Sequence, residues 1–157
     1  MISRIIPLFL LMLPLILTAQ TNNESIGTGA GVSISTGDYN VFIGDSAGTN
    51  NSSGSENVCV GEQAGFSLTS GSENVFIGHD AGRSTTTGSD NVFIGQEAGY
   101  FNTAFDNVFI GTETGENNTS GTDNVFIGEE AGYNNQDGSQ NTFIGEDAGY
   151  FNTSGDD

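Results

Sequence analysis

The sequence predicts an all-β protein, a parallel β-solenoid in which short strands from successive coils stack on one another. Three observations predict it. A unit of 17 residues repeats through most of the chain, each unit carries one short apolar run such as "NVFI", and glycine recurs at fixed places between the runs. Glycine is costly inside a helix, whereas β-branched and aromatic residues bounded by turn residues are typical of a strand.

The repeat has a fixed phase, and we number it from its asparagine as position 1. The consensus is N-V-F-I-G-x-(D/E)-A-G-(Y/F)-x-x-x-x-G-x-(D/E), and one unit, the fifth, has 16 residues instead of 17. About eight coils follow, and they begin at Asn23, Asn40, Asn57, Asn74, Asn91, Asn107, Asn124 and Asn141. Disordered acidic chains lack apolar residues in such strict phase, so we expect an ordered domain.

The first 19 residues have the layout of a secretory signal peptide. "MISR" supplies a positive start, an apolar run with two prolines follows, and small Ala19 offers a cleavage point. The run is too short for a typical spanning helix, although an uncleaved anchor is the alternative. We therefore expect a signal peptide over 1–19, a single repeat domain over 20–157, and a secreted or cell-surface location with no membrane span in the mature chain.

Composition excludes several function classes. The chain carries 20 acidic residues against two arginines, for a formal net charge of −18. Such a charge opposes binding to nucleic acid or to an anionic membrane surface. The lone Cys59 cannot form an intramolecular disulfide, and the lone His79 occupies a variable position of the repeat. Without a phosphate loop, a Cys/His metal spacing or a distinctive carboxylate pair, we expect no enzyme and no cofactor beyond a calcium ion considered below.

Each repeat position has a structural interpretation when coils stack in register. Identical residues then lie about 4.8 Å apart, so the asparagines can form a hydrogen-bonded ladder. Asparagine also tolerates a left-handed backbone, and the glycines permit tight corners. The alanines at position 8 are expected inside, because a small coil has little room there. The variable segments rich in Ser, Thr and Asn are expected to face solvent.

The apolar run raises the question of which side chains point inward. Because side chains alternate across a strand, the valines and isoleucines face one way and the phenylalanines the other. We expect valine and isoleucine inside, since this leaves one column exposed rather than two. The exposed column would then form the interface of a homotrimer, with Cys59 as a smaller apolar substitute, free or bonded between chains. This expected interface comprises Phe42, Cys59, Phe76, Phe93, Phe109, Phe126 and Phe143.

The repeat resembles known bacterial surface proteins. "NVFIGQEAG", "NVFIGEEAG" and "NTFIGEDAG" resemble the S-V-A-I-G-x-x-A repeats in the heads of trimeric autotransporter adhesins, and the N-T-x-I-G-x-x-A repeats of bacterial surface and tail-fibre proteins. The resemblance implies a left-handed parallel β-roll that assembles as a trimer. The adhesin repeat is usually shorter and has alanine where phenylalanine stands here, which puts the packing of the trimer core in doubt. No stalk, membrane anchor or C-terminal chaperone domain is recognised.

These features favour a structural subunit of an exported fibre. The last unit keeps the consensus, so copies could stack head to tail at open coil ends, although a piece of a longer chain is the alternative. A second function is an adhesin-like head that binds glycans or surfaces. Its candidate ridge comprises Tyr100, Phe101, Tyr133, Tyr150 and Phe151. A third class, an ice-binding solenoid, requires flat uncharged threonine ladders, and the acidic columns argue against it.

Acidic residues recur at two positions of the repeat. The first acidic column, at position 7, comprises Asp80, Glu97, Glu113, Glu130 and Asp147, and the second, at position 17, comprises Glu56, Glu73, Asp90, Asp106 and Asp123. Stacked carboxylates about 4.8 Å apart repel by roughly 1 kcal/mol per pair even in water. Bound Ca²⁺ would relieve this repulsion, as would splayed side chains screened by salt. The repeat lacks the signature of calcium-binding β-rolls.

Several sites could carry sugars in an exported protein. Asparagine sequons occur at Asn51, Asn117, Asn118 and Asn152. The "DSA" segment around Ser46 resembles an O-glycosylation signal of some bacterial groups. Such short matches arise easily in a chain rich in Ser, Thr and Asn.

Overall fold

The computed structural model describes residues 22–156, so the predicted signal peptide lies outside the described part. Eight strands of three residues each form one sheet. They are β1 (Glu24–Ile26), β2 (Val41–Ile43), β3 (Val58–Val60), β4 (Val75–Ile77), β5 (Val92–Ile94), β6 (Val108–Ile110), β7 (Val125–Ile127) and β8 (Thr142–Ile144). Residues 22–156 contain no helix with the length and apolar character that a membrane span requires.

The strands stack in sequence order, and each pair of neighbours is parallel. Valine lies beside valine, and phenylalanine beside phenylalanine, as in the pairing of β4 with β5. Every pair from β1 to β8 keeps the register of the repeat. The predicted all-β solenoid of stacked coils is therefore confirmed. Three-residue strands are stable in this arrangement because each coil completes the hydrogen bonding of the next.

The interior is the reverse of the one expected from the sequence. The phenylalanines of β2 and β4 to β7 and Cys59 of β3 are completely buried, whereas the valines and isoleucines face outward. The rings stack along the rod, with centroids 5.0 Å apart between Phe76 and Phe93 and 4.9 Å apart between Phe93 and Phe109. The prediction that Phe42, Cys59, Phe76, Phe93, Phe109, Phe126 and Phe143 form an exposed oligomer interface is wrong. A single chain already buries this column completely as far as Phe126, and Phe143 of the last coil is partly buried against it.

Glycine at position 9 explains why the ring fits inside. Gly99 has a φ of +60°, and a Cβ added there would lie 2.6 Å from Cδ2 of Phe93. The missing side chain therefore leaves the space that the ring occupies. Alanines at position 8, such as Ala98, are buried in the same core cluster. Valine and isoleucine, by contrast, cover one another within their own columns. Most valine and isoleucine side chains are therefore half-buried, although they lie on the outer face of the sheet.

The asparagine ladder predicted at position 1 is present. The side chain of Asn74 donates to Oδ1 of Asn57 at 3.0 Å, and its own Oδ1 accepts from the backbone N–H of Asn91 at 3.1 Å. The amide also donates to the carbonyl of Gly88, at position 15 of its own coil. The left-handed backbone expected for asparagine lies instead one residue earlier, at position 17, as in Asp90 with a φ of 60°.

A second inward column lies at position 12, which the sequence analysis left among the solvent-facing residues. The consensus has no preferred residue at this position. Three coils bury a different side chain there, namely Ile34, Leu68 and Thr85. The remaining coils place asparagine at this position. The amide of Asn135 donates to Oδ1 of Asn118 at 2.7 Å, so a second, shorter ladder runs through coils 5 to 8. Because this column mixes apolar and amide side chains, it produces no apolar periodicity in the sequence.

The 16-residue fifth coil fits the stack through a local substitution. Ala104 takes the place of the glycine at position 15, where its carbonyl accepts from the side chain of Asn91 at 2.9 Å. In the other coils two residues lie between the inward position 12 and position 15, whereas here only Thr103 lies between Asn102 and Ala104. The residue that this coil lacks is therefore one of the outer turn. Phe105 and Asp106 resume the phase of the repeat, and β6 pairs with β5 in the usual register.

Candidate binding surfaces

The outward side chains of the strands form an apolar strip along the rod, which we call the Val/Ile stripe. Its members occupy positions 2 and 4 of the repeat and are half-buried or exposed, with Ile43 and Ile77 exposed to 37% and 38%. The stripe comprises Ile26, Val41, Ile43, Val58, Val60, Val75, Ile77, Val92, Ile94, Val108, Ile110, Val125, Ile127 and Ile144. Contiguous apolar surface of this kind marks an interaction face more often than a free surface.

The two acidic columns share an unusual backbone. Glu97 of the first column has a φ of 56°, and Asp90 of the second has a φ of 60°. All ten acids predicted as cation ligands adopt such positive values. Non-glycine residues rarely adopt this conformation. The backbone turns sharply at both positions, which directs the carboxylates outward at the two ends of the apolar run.

One cluster in the described residues has the spacing of a metal site. His79, Asp80 and Glu97 each offer a ligand atom, and these atoms lie within 4.8 Å of one another. Nδ1 of His79 lies 3.6 Å from Oδ2 of Asp80, whereas Oδ1 of Asp80 is already paired with Nε of Arg83 at 3.1 Å. The donor set suits a cation, but an internal guanidinium already neutralises one member. Within 22–156 the second acidic column forms no comparable cluster, so calcium binding stays a prediction.

Arg83 organises the column at position 10. Its guanidinium lies 5.5 Å from the ring centroids of both Phe66 and Tyr100, and it donates to the Tyr100 hydroxyl at 2.6 Å. The arginine therefore takes the place of a ring in a stack of aromatic side chains. A cation between two aromatic faces is attracted electrostatically by both rings. This interaction, together with the ion pair to Asp80, accounts for the one arginine among residues 22–156.

Glu116 occupies the same column in coil 6, among like charges. The pKa of its carboxyl is raised to about 7, chiefly by burial and then by the negative charges of Glu113 and Glu97, against a hydrogen bond from Tyr133 that lowers it. Burial and the charge of Glu116 in turn raise the pKa of the Tyr133 hydroxyl. A carboxyl with this environment titrates near neutral pH, so it couples the charge of this face to the pH of the medium.

The aromatic ridge expected from the sequence is only partly continuous. Tyr133 and Tyr150 stack with centroids 5.1 Å apart. Tyr150 also lines a cavity of about 320 Å³, together with Glu130, Asp147 and Phe151. Tyr100 and Phe101 meet edge to face at 4.5 Å. Glu116 separates the Tyr100 part of the ridge from the Tyr133 part. The ridge therefore consists of two separate aromatic patches.

A groove lies on the outer turns of coils 4 to 7, and we call it the polar groove. It has a volume of about 470 Å³. Its walls are the residues at positions 11 and 13, on either side of the inward position 12. The lining residues are Ser84, Phe101, Thr103, Asn117, Thr119, Asn134 and Gln136. No sequence pattern indicates this groove, because it depends on position 12 pointing inward, and that column shows no simple apolar periodicity.

The candidate glycosylation sites divide into two groups. Asn51 and Asn118 are completely buried and hold structural hydrogen bonds, for example from the amide of Asn51 to the carbonyl of Gly54 at 2.9 Å. A glycan on either residue is incompatible with the folded coil, so these two predictions are wrong. Ser46, Asn117 and Asn152 are half-exposed and stay predictions.

Comparison of this chain with known proteins returns no matching protein-family model, no matching curated protein and no matching solved structure. Function must therefore be inferred from the surfaces of the rod. Four surfaces are distinct in chemistry: the apolar Val/Ile stripe, the two acidic columns, the column containing Arg83 and Glu116, and the uncharged polar groove.

Proposed function

We propose that this chain is a structural subunit of an exported fibre, a rod that associates side by side with copies of itself. The observation that carries the proposal is the Val/Ile stripe, an apolar face that the single chain leaves partly exposed. It replaces the phenylalanine column as the surface for assembly. The resemblance of the repeat to trimeric adhesin heads makes three copies the expected number.

The size of the stripe supports a stable contact between copies. Eight strands about 4.8 Å apart make a face roughly 34 Å long. Fully burying a valine or isoleucine contributes about 1.5–3 kcal/mol, and these side chains keep a fraction of that gain because they are partly exposed. Fourteen such residues on each copy would contribute on the order of 10 kcal/mol before the cost of association. Flat sheets with β-branched columns also suit face-to-face packing.

Charge regulates this contact. Position 17 lies two residues before each valine and position 6 two residues after each isoleucine, and both positions carry exposed acids such as Asp90 and Glu129. Two copies that meet through their stripes bring these carboxylates together. Repulsion between exposed charges is largely screened only beyond about 8 Å at physiological ionic strength, and this distance shortens as salt is added. The association is therefore expected to strengthen with salt, and more strongly with a divalent cation.

Stacking end to end is a weaker route than side-by-side contact. If β8 of one copy paired with β1 of another in the register of the repeat, Phe143 would meet Ser25 and Thr142 would meet Glu24. The ring of Phe143 stacks on Phe126 at 4.8 Å, and Ser25 offers no equivalent surface on its other side. Strand β1 is only three residues long and carries the charge of Glu24, both of which are features of a protected edge.

Analytical ultracentrifugation of the chain from residue 20 tests the proposal. We expect a mass above that of one chain at micromolar concentration, with a larger associated fraction in 0.5 M than in 0.05 M NaCl. Ile77→Lys with Ile94→Lys should give monomers, because they place charges at the centre of the stripe. Thr87→Lys, at an exposed outer turn, is the matched control and should associate like the wild type. A monomeric wild type at both salt concentrations would contradict the proposal.

A further inference from the structure

The polar groove is singled out by its lack of charge. None of its seven lining residues is ionisable, although 20 of the 157 residues of the chain are acidic. Positions 11 and 13 supply hydroxyl and amide side chains in successive coils, interrupted by one ring, that of Phe101. A groove without charged partners recognises a neutral ligand better than an ion, because an ion would lose hydration without a compensating opposite charge.

The groove can both donate and accept hydrogen bonds. The hydroxyls of Thr103 and Thr119 donate to carbonyls of the next coil at 2.7 and 3.0 Å, which leaves their lone pairs as acceptors. The amide of Asn134 donates to the carbonyl of Tyr150 at 2.9 Å, which leaves its oxygen available. In the described part of the chain, the side chains of Ser84 and Gln136 form no hydrogen bond. Such a mixture suits ligand hydroxyls, each of which donates and accepts.

Phe101 adds an apolar surface within this polar setting. Its ring is 43% exposed and is held edge to face against Tyr100. Serine or asparagine occupies the same position in the other coils that line the groove. An exposed ring bordered by amides and hydroxyls matches a pyranose, which has apolar C–H faces and hydroxyls around its edge.

The shape of the groove favours a chain-like ligand. It runs across four coils, a distance of roughly 14 Å, and is open along its length. Its walls repeat at the spacing of the coils, so successive parts of an extended ligand would meet similar donors and acceptors. A flat crystalline surface such as ice fits less well, because the groove is concave and the ring of Phe101 interrupts its hydroxyl columns.

From these features we propose that the polar groove binds a neutral polysaccharide, with the Phe101 ring against one sugar and the side chains of Thr119 and Gln136 on the hydroxyls of its neighbours. This activity is separate from assembly, because the groove lies on the outer turns and the Val/Ile stripe on the strands. Variants of the groove should therefore leave the mass of the assembly unchanged.

Affinity electrophoresis tests the proposal, with native gels that contain mixed-linkage β-glucan, galactomannan, xylan or dextran. We expect at least one of these to retard the wild-type chain, with affinity falling at least tenfold in Phe101→Ala and several-fold in Gln136→Ala. The matched control is Phe151→Ala, which removes a more exposed ring, 87% accessible, at the same repeat position outside the groove. The control should bind like the wild type, and circular dichroism should show all variants folded.

Three results would overturn the assignment. The first is a wild type that none of the four neutral polysaccharides retards. The second is a loss of binding in Phe151→Ala equal to that in Phe101→Ala, which would place the contact elsewhere. The third is binding only to the polyanion alginate or only to ice crystals, since a neutral saccharide groove predicts neither.

Discussion

At the scale of single residues, the phenylalanine rings determine the interior. Phe93 is completely buried between the rings of Phe76 and Phe109. We expect Phe93→Ala to lower the free energy of unfolding by about 3–5 kcal/mol, because it removes a buried ring and leaves a cavity in a continuous stack. Urea denaturation followed by circular dichroism measures the loss. Phe101→Ala, on the surface, should cost less than about 1 kcal/mol, and equal losses for the two variants would contradict the assignment.

Glu116 makes the stability of the fold depend on pH. The pKa of its carboxyl in the folded chain is about 7, above its ordinary value of 4.5, so the folded state holds the proton more tightly than the unfolded state. Stability contributed by this proton is present below pH 4.5 and is lost as pH rises towards 7. We expect the melting temperature to fall between pH 5 and pH 8, with about 1 kcal/mol of the change due to Glu116 after solvent screening.

Glu116→Gln tests this dependence on pH. The variant cannot ionise, so its melting temperature should change less between pH 5 and pH 8 than that of the wild type. The exposed Glu62→Gln serves as the control and should keep the wild-type slope. Identical slopes for Glu116→Gln and the wild type would show that Glu116 does not titrate in this range.

At the scale of the element, the asparagine ladder joins each coil to its neighbours. The side chain of Asn74 takes part in four hydrogen bonds, to Asn57, Gly88 and both nitrogens of Asn91. We expect Asn74→Ala to cost about 3 kcal/mol of unfolding free energy, because buried groups in three coils lose their partners. Thermal melts measure the loss. Asn50→Ala, on the half-exposed outer turn, should have little effect, and a similarly mild Asn74→Ala would mean that water replaces the ladder.

The repeat phase predicted the elements well but not the direction of their side chains. Strand positions, in-register stacking and the Asn57–Asn74 ladder all follow from local propensity and a fixed period. The choice between Phe93 and Val92 as the inward residue depends on volume, which alternation along a strand does not encode. The space for the ring is created by Gly99, six residues further along the chain. The expectation that valine and isoleucine lie inside considered only the number of exposed columns. It was wrong because it left out this space.

The candidate surfaces were harder to predict than the fold. The acidic columns were evident in the sequence, but only the structure joins His79, Asp80 and Glu97 in one cluster. The inward column at position 12 mixes leucine, threonine and asparagine, so no hydrophobic pattern revealed it. The polar groove depends on that column and was therefore missed as well.

At the scale of the whole molecule, the rod is a stack of near-identical coils with different chemistry on each side. Its interior contains the rings, the small residues and the hydrogen-bonded asparagine ladders. The outward Val/Ile stripe lies on the other side of the same three-residue strands. Because each coil contacts only its neighbours, stability is approximately a sum over coils and interfaces between coils. Assembly through the Val/Ile stripe would add contacts between chains to the stability of this one-dimensional stack.

The reactivity of Cys59 tests the central claim, that the phenylalanine column is inside and the valine column outside. Cys59 is the single cysteine of the chain and is completely buried in that column, where burial raises the pKa of its thiol. We predict that a thiol reagent such as Ellman's reagent leaves native Cys59 unmodified for hours and modifies it within seconds in denaturant. Val58→Cys with Cys59→Ser should react in the native state at low protein concentration and low salt. Rapid modification of native Cys59 together with protection of the cysteine at position 58 would contradict the account.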